Sequence, residues 1–258
     1  MHRLGFLPGK TLIHQLYPVT KFIWLLIISV FLFILDDSRL IGISATVLLF
    51  ILIQISHNIW KIRGFRFALF TGVSIFLMYL FFNKTGETLL SIGLKFFDIT
   101  SGGLEMGLRI SGRFLAIIFI SYIFILTTNP NQLAYSLMKL GLPYRYGFML
   151  VTALRLAPIL EDEGQAIYKA QLVRGVRYDK KGLKRLLLII QQFLSPLVFS
   201  ALQRADKLVF SMEGRGFGRY PTRTFYDQTK PSTIDFTFSI GLLLIIITCL
   251  WIDIGGII

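Results

Sequence analysis

Two tripeptides within residues 127–220 have the same pattern, Val173-Arg174-Gly175 and Gly214-Arg215-Gly216, and each follows a long helical pattern. Glycine supplies the left-handed residue that ends many helices, and a cation in the last turn complements the helix dipole. One such pair is explained by helix termination alone. Two pairs, at the ends of two long helices, indicate a repeated binding feature, because arginine is always charged and carries a rigid fork of donors.

The sequence before each tripeptide predicts helices with clear boundaries. Asn129-Pro130 is a typical helix start, with a capping residue before a proline at the first helical position. Gly141 and Pro143 stop this first helix, and long patterns over residues 144–174 and 183–213 follow, with internal prolines at Pro158 and Pro196. We therefore expect a segment of long helices that carries both arginine tips.

The composition of the whole chain is that of a membrane protein. Of its 258 residues 54% are hydrophobic and only 16% are charged, whereas about 25% are charged in ordinary soluble domains. The fold class we predict is all-α, a polytopic membrane protein with about five transmembrane helices and long, crossed cytoplasmic coupling helices. The predicted apolar blocks cover residues 22–35, 40–56, 67–82, 108–127 and 236–252. A short surface helix over residues 89–97 is also expected.

The distribution of charge predicts the orientation in the membrane. The N-terminal residues and the link that contains Lys61, Arg63 and Arg66 are basic, so both are expected on the cytoplasmic side. Most of the net charge of +13 lies between residues 129 and 230, which favours a cytoplasmic location for that segment. Nucleic acid is not expected as a partner, because the charges are spread through membrane-flanking segments. Arg109 and Arg113 then lie near the outer end of the fourth span, where they snorkel or pair with Glu105.

These expectations divide the chain into three parts. Residues 1–127 form an N-terminal membrane domain of four spans, 128–220 a cytoplasmic coupling-helix domain, and 221–258 a linker with a final transmembrane helix. Two stretches, residues 146–160 and 186–202, are apolar enough to resemble spans. Polar residues such as Arg155 and Gln191 interrupt them, so we expect helices at or just below the membrane surface, with a transmembrane pair as the alternative.

Several motifs in order along the chain resemble the transmembrane T component of energy-coupling factor (ECF) transporters, the EcfT/CbiQ-like family. They are Leu12-Ile13-His14-Gln15-Leu16-Tyr17-Pro18 with Lys21, Thr127-Thr128-Asn129-Pro130, Leu140-Gly141-Leu142-Pro143-Tyr144-Arg145, Leu154-Arg155-Leu156-Ala157-Pro158, Ala170-Gln171-Leu172-Val173-Arg174-Gly175, Arg204-Ala205-Asp206, and Met212-Glu213-Gly214-Arg215-Gly216-Phe217. The signature of that family is usually Ala-Arg-Gly. Both arginines are present here, while Val173 and Gly214 depart at the first position and Tyr17 replaces an acidic or amide residue.

The resemblance implies a non-catalytic transporter subunit in the cytoplasmic membrane of a prokaryote, with its N-terminus in the cytoplasm. Two ABC-type ATPase subunits would each receive one tip, through Val173, Arg174 and Gly175 or through Gly214, Arg215 and Gly216. A separate membrane protein, the S component, would bind the vitamin or transition metal and rest on apolar faces that include Leu133, Leu137, Leu154 and Leu197. This chain would hold no cofactor and no metal, since ATP and magnesium belong to the ATPases. The resemblance leaves the substrate open.

Other functions are weighed against this one. An intramembrane enzyme acting on lipids would need paired carboxylates at a span end, and Asp36-Asp37 is the candidate. A self-contained secondary transporter would need charges deep within its spans, and the predicted spans are nearly free of them. The glycine-rich run at residues 214–218 follows a helix and lacks the Lys-Ser/Thr of a nucleotide-binding loop. The carboxylates of Glu161-Asp162-Glu163 are expected to balance nearby Arg and Lys on a solvated helix face.

Overall fold

The computed structural model describes residues 9, 11–55, 64–83, 85–90, 99–176, 182–219 and 231–255. The chain forms two compact units, one from Met1–Ser136 with Thr229–Ile258 and the other from Leu137–Gln228. The predicted boundaries at residues 127 and 220 refer to the membrane rather than to packing, and they stay a prediction. Several basic residues used for the predicted orientation, Arg3, Lys10, Lys61 and Arg63, lie outside the described residues.

Helices make up almost all of the described structure. In chain order the elements are α1 (Leu12–Gln15), α2 (Pro18–Ile34), α3 (Ser38–Ile55), α4 (Phe65–Phe82), β1 (Thr88–Leu90), β2 (Ile99–Thr100), α5 (Ser101–Thr127), α6 (Pro130–Lys139), α7 (Tyr144–Val173), α8 (Leu183–Ile189), a π-helical turn (Ile190–Leu194), α9 (Ser195–Gly214) and α10 (Thr233–Gly255). The two strands pair in antiparallel fashion. The expected surface helix over residues 89–97 is wrong at its start, since β1 includes Leu89 and Leu90; residues 91–97 lie outside the described part.

Helix α5 is the centre of the first unit and packs against α2, α3 and α4. Small residues allow this close packing, as expected for helices in a membrane. A Cβ added at Gly107 would lie 3.2 Å from the Phe76 ring, and one added at Gly112 would lie 3.1 Å from Ile41. The buried core beside these contacts is formed by Leu52, Phe65, Phe119, Ile123 and Leu126. The fourth predicted span is therefore the helix around which this unit is built.

Helix α10 is attached to the first unit through a carboxylate near each of its ends. Asp235 accepts a hydrogen bond from the backbone N–H of Tyr17, the residue that precedes α2, at 2.7 Å. Asp253 accepts bonds from the backbone N–H groups of Asp36 and Asp37, which precede α3, at 3.4 and 2.9 Å. Between them the Trp24 indole N–H donates to Ser239 at 2.9 Å. Helix N-termini bind anions well, so these contacts fix α10 to α2 and α3.

The two arginines predicted near the outer end of the fourth span do find partners. Arg109 lies 3.5 Å from Glu105, as predicted, and 3.4 Å from Asp36, on another element. Arg113 donates to the carbonyl of Leu35 at 2.7 Å. Its guanidinium also lies 5.4 Å from the centre of the Phe33 ring. The charges on this face of α5 are thus compensated by the α2–α3 connection.

Five helices in the described part are long and apolar enough to cross a membrane. They are Ser38–Ile55, Phe65–Phe82, Ser101–Thr127, Thr233–Asp253 and Leu186–Gly214. An all-α polytopic membrane protein with about five such helices is therefore confirmed, but the set differs from the predicted one. Helix α2, which covers the first predicted span, has only 17 residues and is not among the five. Leu186–Gly214 is long and apolar enough to cross a membrane, although we expect it at the membrane surface.

The second unit consists mainly of α7 and the continuous helix formed by α8, the π turn and α9. Proline has no N–H to donate, and its ring clashes with the carbonyl four residues earlier. Pro196 is the second residue of α9, two positions after the π turn ends at Leu194, and this wider turn offers the local rearrangement that a proline inside a helix requires. Helix α7 continues through Pro158 without a break in its assignment. Both predicted long helices are therefore present, and the second contains a π bulge.

Candidate functional site

Helix α7 ends in a Schellman motif formed by the first predicted tripeptide. The N–H of Gly175 donates to the carbonyl of Leu172 at 3.0 Å, and the N–H of Val176 donates to the carbonyl of Gln171 at 3.0 Å. Gly175 has φ +83°, and a Cβ added there would have no atom within 4 Å. Glycine is required here by the left-handed backbone rather than by lack of space. Arg174 is the C-cap of the helix.

Helix α9 ends in the same way, residue for residue. The N–H of Gly216 donates to Glu213 at 2.9 Å, and the N–H of Phe217 donates to Met212 at 2.9 Å. Gly216 has φ +66°, and Arg215 is the C-cap. The two tips therefore share one backbone geometry, with arginine at the same cap position in each.

Both tips are exposed. The side chain of Val173 is 88% exposed, and Arg174, Gly175, Gly214, Arg215 and Gly216 are exposed as well. Within the described part of the chain, the side chains of Arg174 and Arg215 make no hydrogen bond and no ion pair; their backbone N–H groups donate within the helix ends. Arg204 on α9, in contrast, is paired with a carboxylate. An arginine at a helix tip without an internal partner is available to bind carbonyl or carboxylate groups of another molecule.

The second tip lies beside the start of α7. Phe217, two residues after Arg215, has its ring 4.8 Å from that of Phe148 and 5.9 Å from that of Tyr144. Arg174 ends the same helix, so the two tips are separated by nearly the whole of α7, about 40 Å at 1.5 Å per residue. The site is thus a pair of matching tips at opposite ends of one helix.

Contacts in the middle of α7 define the direction of α9. Glu163 accepts hydrogen bonds from the hydroxyl of Ser200 and from Arg204, the latter at 2.9 Å. These bonds, first that of Ser200 and then that of Arg204, hold the pKa of Glu163 below its ordinary value. Along α7, Glu163 comes after Phe148, the residue that Phe217 contacts. Along the second helix, the partners of Glu163, Ser200 and Arg204, come before Phe217. The two helices therefore run in opposite directions.

The expected role of the three carboxylates at residues 161–163 is confirmed for one of them. Glu163 pairs with Arg204, while Glu161 and Asp162 are exposed on the same turn. Within the described ranges no group of three or more His, Cys, Asp or Glu is arranged to hold a metal. The pair Asp36-Asp37 has local structural contacts: Asp36 meets Arg109, and Asp37 accepts the N–H of Arg39 at the start of α3.

The apolar residues proposed for the S-component contact are partly covered within the chain itself. Leu133, Leu137, Leu154 and Leu197 are all half-buried. Leu197 approaches α7 at Gly164, where a Cβ would lie 4.0 Å from its methyl group. The more exposed residues on α9 are Phe199, Leu202 and Phe210, at 65%, 59% and 74%. The sequence analysis missed these three, although the continuous apolar run of α9 contains them.

A large part of the second unit is apolar and uncovered. In the most apolar 18-residue stretch of Leu186–Gly214 no residue is buried, whereas 44% of the residues in the corresponding stretch of α5 are buried. Exposed apolar surface of this extent marks a region covered by lipid or by another protein. The unit therefore presents two kinds of surface, a pair of cationic tips and an apolar helix face.

Comparison with known proteins agrees with these features. Residues 9–226 match the family model CbiQ, described as "Cobalt transport protein". The chain is 33% identical over 240 residues to the energy-coupling factor transporter transmembrane protein EcfT of Macrococcus caseolyticus, covering 89% of each protein. It is 30% identical over 251 residues to the protein of the same name from Bacillus subtilis, covering 93% of each. A third relative of that name, from Streptococcus equi, is 32% identical over 233 residues.

Proposed function

Because the chain belongs to the family of transmembrane T components of ECF transporters, we propose that it joins two cytoplasmic ATPase subunits to a separate substrate-binding S component. The assembly would import a vitamin or a transition metal ion. The pair of matching arginine tips is the observation that carries this proposal. Two equivalent sites at opposite ends of one helix suit two equivalent partners, one for each tip.

Each tip is proposed to enter a groove on one ATPase subunit. The Schellman motif ends the helix abruptly, so the arginine side chain projects past the last turn. Its planar donor fork suits carbonyl and carboxylate oxygens in a groove. ATP and magnesium would be bound and ATP hydrolysed by those subunits, so that this chain transmits movement without catalysing a reaction.

The apolar face of α9 is proposed to contact the S component. Phe199, Leu202 and Phe210 are exposed on a helix whose most apolar 18-residue stretch contains no fully buried residue. Leu133, Leu137, Leu154 and Leu197, which are all half-buried, are proposed as further contact residues for the S component. Movement of the ATPase subunits would reach the S component through α7 and α9, because Glu163 and Phe217 tie these helices together.

The same proposal places the chain in the cytoplasmic membrane of a prokaryote. The N-terminus and the arginine tips would face the cytoplasm, where ATP is available. The dense positive charge of residues 129–230 supports this orientation. The relatives support a transporter subunit over a lipid-acting enzyme, and the local structural contacts of Asp36 and Asp37 agree with that choice.

Co-purification tests the tips directly. The double variant Arg174→Ala/Arg215→Ala is expected to lose the ATPase subunits and substrate uptake, because loss of a buried interfacial charge contact costs roughly 2–5 kcal/mol. Lys169→Ala/Lys207→Ala is the matched control, since it removes two exposed cations from the same helices. ATPase subunits retained equally by both double variants would refute the proposal.

The S-component contact is tested separately. Phe199→Ser/Leu202→Ser is expected to release the S component while the ATPase subunits stay bound, because the tips are unchanged. The retained ATPase subunits show that the variant is folded. An S component that co-purifies in the wild-type amount would rule out this face of α9 as its binding surface.

A further inference from the structure

The first unit contains an apolar cavity of about 110 Å³ lined by residues of α1, α2, α3, α5 and α10. Its walls include Trp24 and Ile28 on α2, Ile120 on α5, and Phe238 and Leu242 on α10. Nearly all of its lining is hydrocarbon, so a water molecule there would have too few polar partners. An occupant of this space is therefore expected to be apolar.

The cavity exists because of the way in which α10 is attached. Its fixed points are polar contacts made by Asp235, Ser239 and Asp253. Phe238 and Leu242, between the first and last of these points, face the cavity instead of filling it. The polar contacts thus hold α10 at a distance that leaves a slot between helices.

Among the described residues that line this slot, the one cation is Lys21, which lies at one end of it. Lys21, in the first turn of α2, lines the cavity and donates to the carbonyls of Thr127 and His14 at 2.9 and 3.3 Å. An ammonium has three N–H groups, so one remains for another acceptor. Within the described residues Lys21 has no carboxylate within ion-pair distance. The nearby Asp235 is held by two backbone N–H groups, those of Tyr17 and Ser232.

The positions of the wall residues set the dimensions of the slot. Ile28 is two turns further along α2 than Lys21, which corresponds to a depth of about 10 Å. Lys21 lies level with the start of α2, the end of α5 and the start of α10, so the cation is at a membrane face and the apolar part extends inward. A charged end at the face and a hydrocarbon channel behind it match the shape of a lipid.

We propose that this cavity binds one acyl chain of an anionic phospholipid, with the lipid phosphate paired to Lys21. The ammonium supplies the counter-charge and its remaining donor to the phosphate. The walls formed by α2, α5 and α10 cover the beginning of the acyl chain. This lipid completes the packing of α10, and the inference does not depend on the identity of the protein partners.

Fluorescence of Trp24 provides the test, because this indole lines the cavity and its side chain is only 6% exposed. The chain has three tryptophans, so Trp60→Phe/Trp251→Phe leaves Trp24 as the only reporter. The full-length protein is reconstituted in phosphatidylcholine vesicles that contain increasing fractions of brominated phosphatidylglycerol or brominated phosphatidylcholine. Half-maximal quenching by the anionic lipid is expected at about 5-fold lower mole fraction, the effect of one lysine near a charged headgroup.

Two sets of variants separate the headgroup from the acyl chain. Lys21→Met is expected to make the two brominated lipids equally effective, while Lys21→Arg keeps the preference. Leu242→Phe, which narrows the cavity, is expected to reduce quenching by both lipids relative to Leu243→Phe, whose side chain is 46% exposed on the other side of α10. Equal quenching by the two lipids in the single-tryptophan protein with Lys21 unchanged overturns the phosphate contact. Equal quenching in the Leu242→Phe and Leu243→Phe proteins overturns the acyl-chain site.

Discussion

The ring of Phe217, two residues after Arg215, lies 4.8 Å from the ring of Phe148 near the start of α7. This contact connects the end of one long helix to the beginning of the other. Its consequence is that the two arginine tips differ in their support, although their backbone geometry is the same. The second tip rests on an aromatic cluster that includes Tyr144, and the first tip, at Arg174, ends an exposed turn.

Phe217→Ala is expected to loosen the second tip without affecting the first. Two aromatic contacts are lost, each worth about 0.5–1.5 kcal/mol beyond the area they bury. Hydrogen exchange at the amide of Gly216 should accelerate, while exchange at Gly175 stays unchanged. Phe210→Ala is the control, because Phe210 is 74% exposed on the same helix. Equal acceleration in both variants would mean that the aromatic cluster does not support the tip.

Replacing Gly214 or Gly216 at the second tip by alanine should change the stability of the protein in opposite directions. Gly216→Ala forces a side chain into φ +66° and should destabilise the helix end by about 1–2 kcal/mol. Gly214→Ala is within the helix and meets no atom within 4 Å, so it should stabilise α9 by up to about 1 kcal/mol. Thermal unfolding of the two single variants measures the difference. Gly175→Ala should behave like Gly216→Ala, and a stabilising effect there would contradict the Schellman geometry.

The stability that the contact between α7 and α9 contributes should depend on pH, because Glu163 is part of that contact. Hydrogen bonds from Ser200 and Arg204 lower its pKa in the folded chain below the ordinary value of 4.5. A lowered carboxylate pKa stabilises the fold above the unfolded value, and this contribution is lost as the pH falls through the folded pKa. Glu163→Gln should therefore destabilise the protein near neutral pH and have less effect in strong acid. Glu161→Gln is the control, and a pH-independent difference for Glu163→Gln would refute the linkage.

The carboxylates at the two ends of α10 should each be needed to hold that helix. Asp235→Ala leaves the buried N–H group of Tyr17 and the N–H group of Ser232 without their charged acceptor. A hydrogen bond to a charged group is worth about 1.5–3 kcal/mol, so limited proteolysis should release α10 more readily. Asp253→Ala should have a similar effect at the other end. Asp206→Ala on α9, an exposed position, is the control and should leave the digestion pattern of α10 unchanged.

The sequence by itself determined the class of fold and the local ends of its helices. Helix starts and stops depend on a few neighbouring residues, so the start at Asn129-Pro130 and the stop at Gly175 are present in the structure as predicted. Apolar runs likewise identify candidate spans from composition alone. The predicted helix over residues 89–97 is the exception, because Leu89 and Leu90 pair with another strand, which local propensity does not reveal.

Tertiary structure alone decided which distant residues meet. Residues far apart in the chain meet in the aromatic cluster at Phe217 and in the hydrogen bonds of Asp235 and Asp253. The opposite directions of α7 and α9 likewise follow from contacts between distant residues. Such contacts depend on the relative placement of whole helices, and hydropathy and capping patterns do not carry that information. The same reason explains why the cavity beside Lys21 was not foreseen: its walls come from five helices, and no single stretch of sequence contains it.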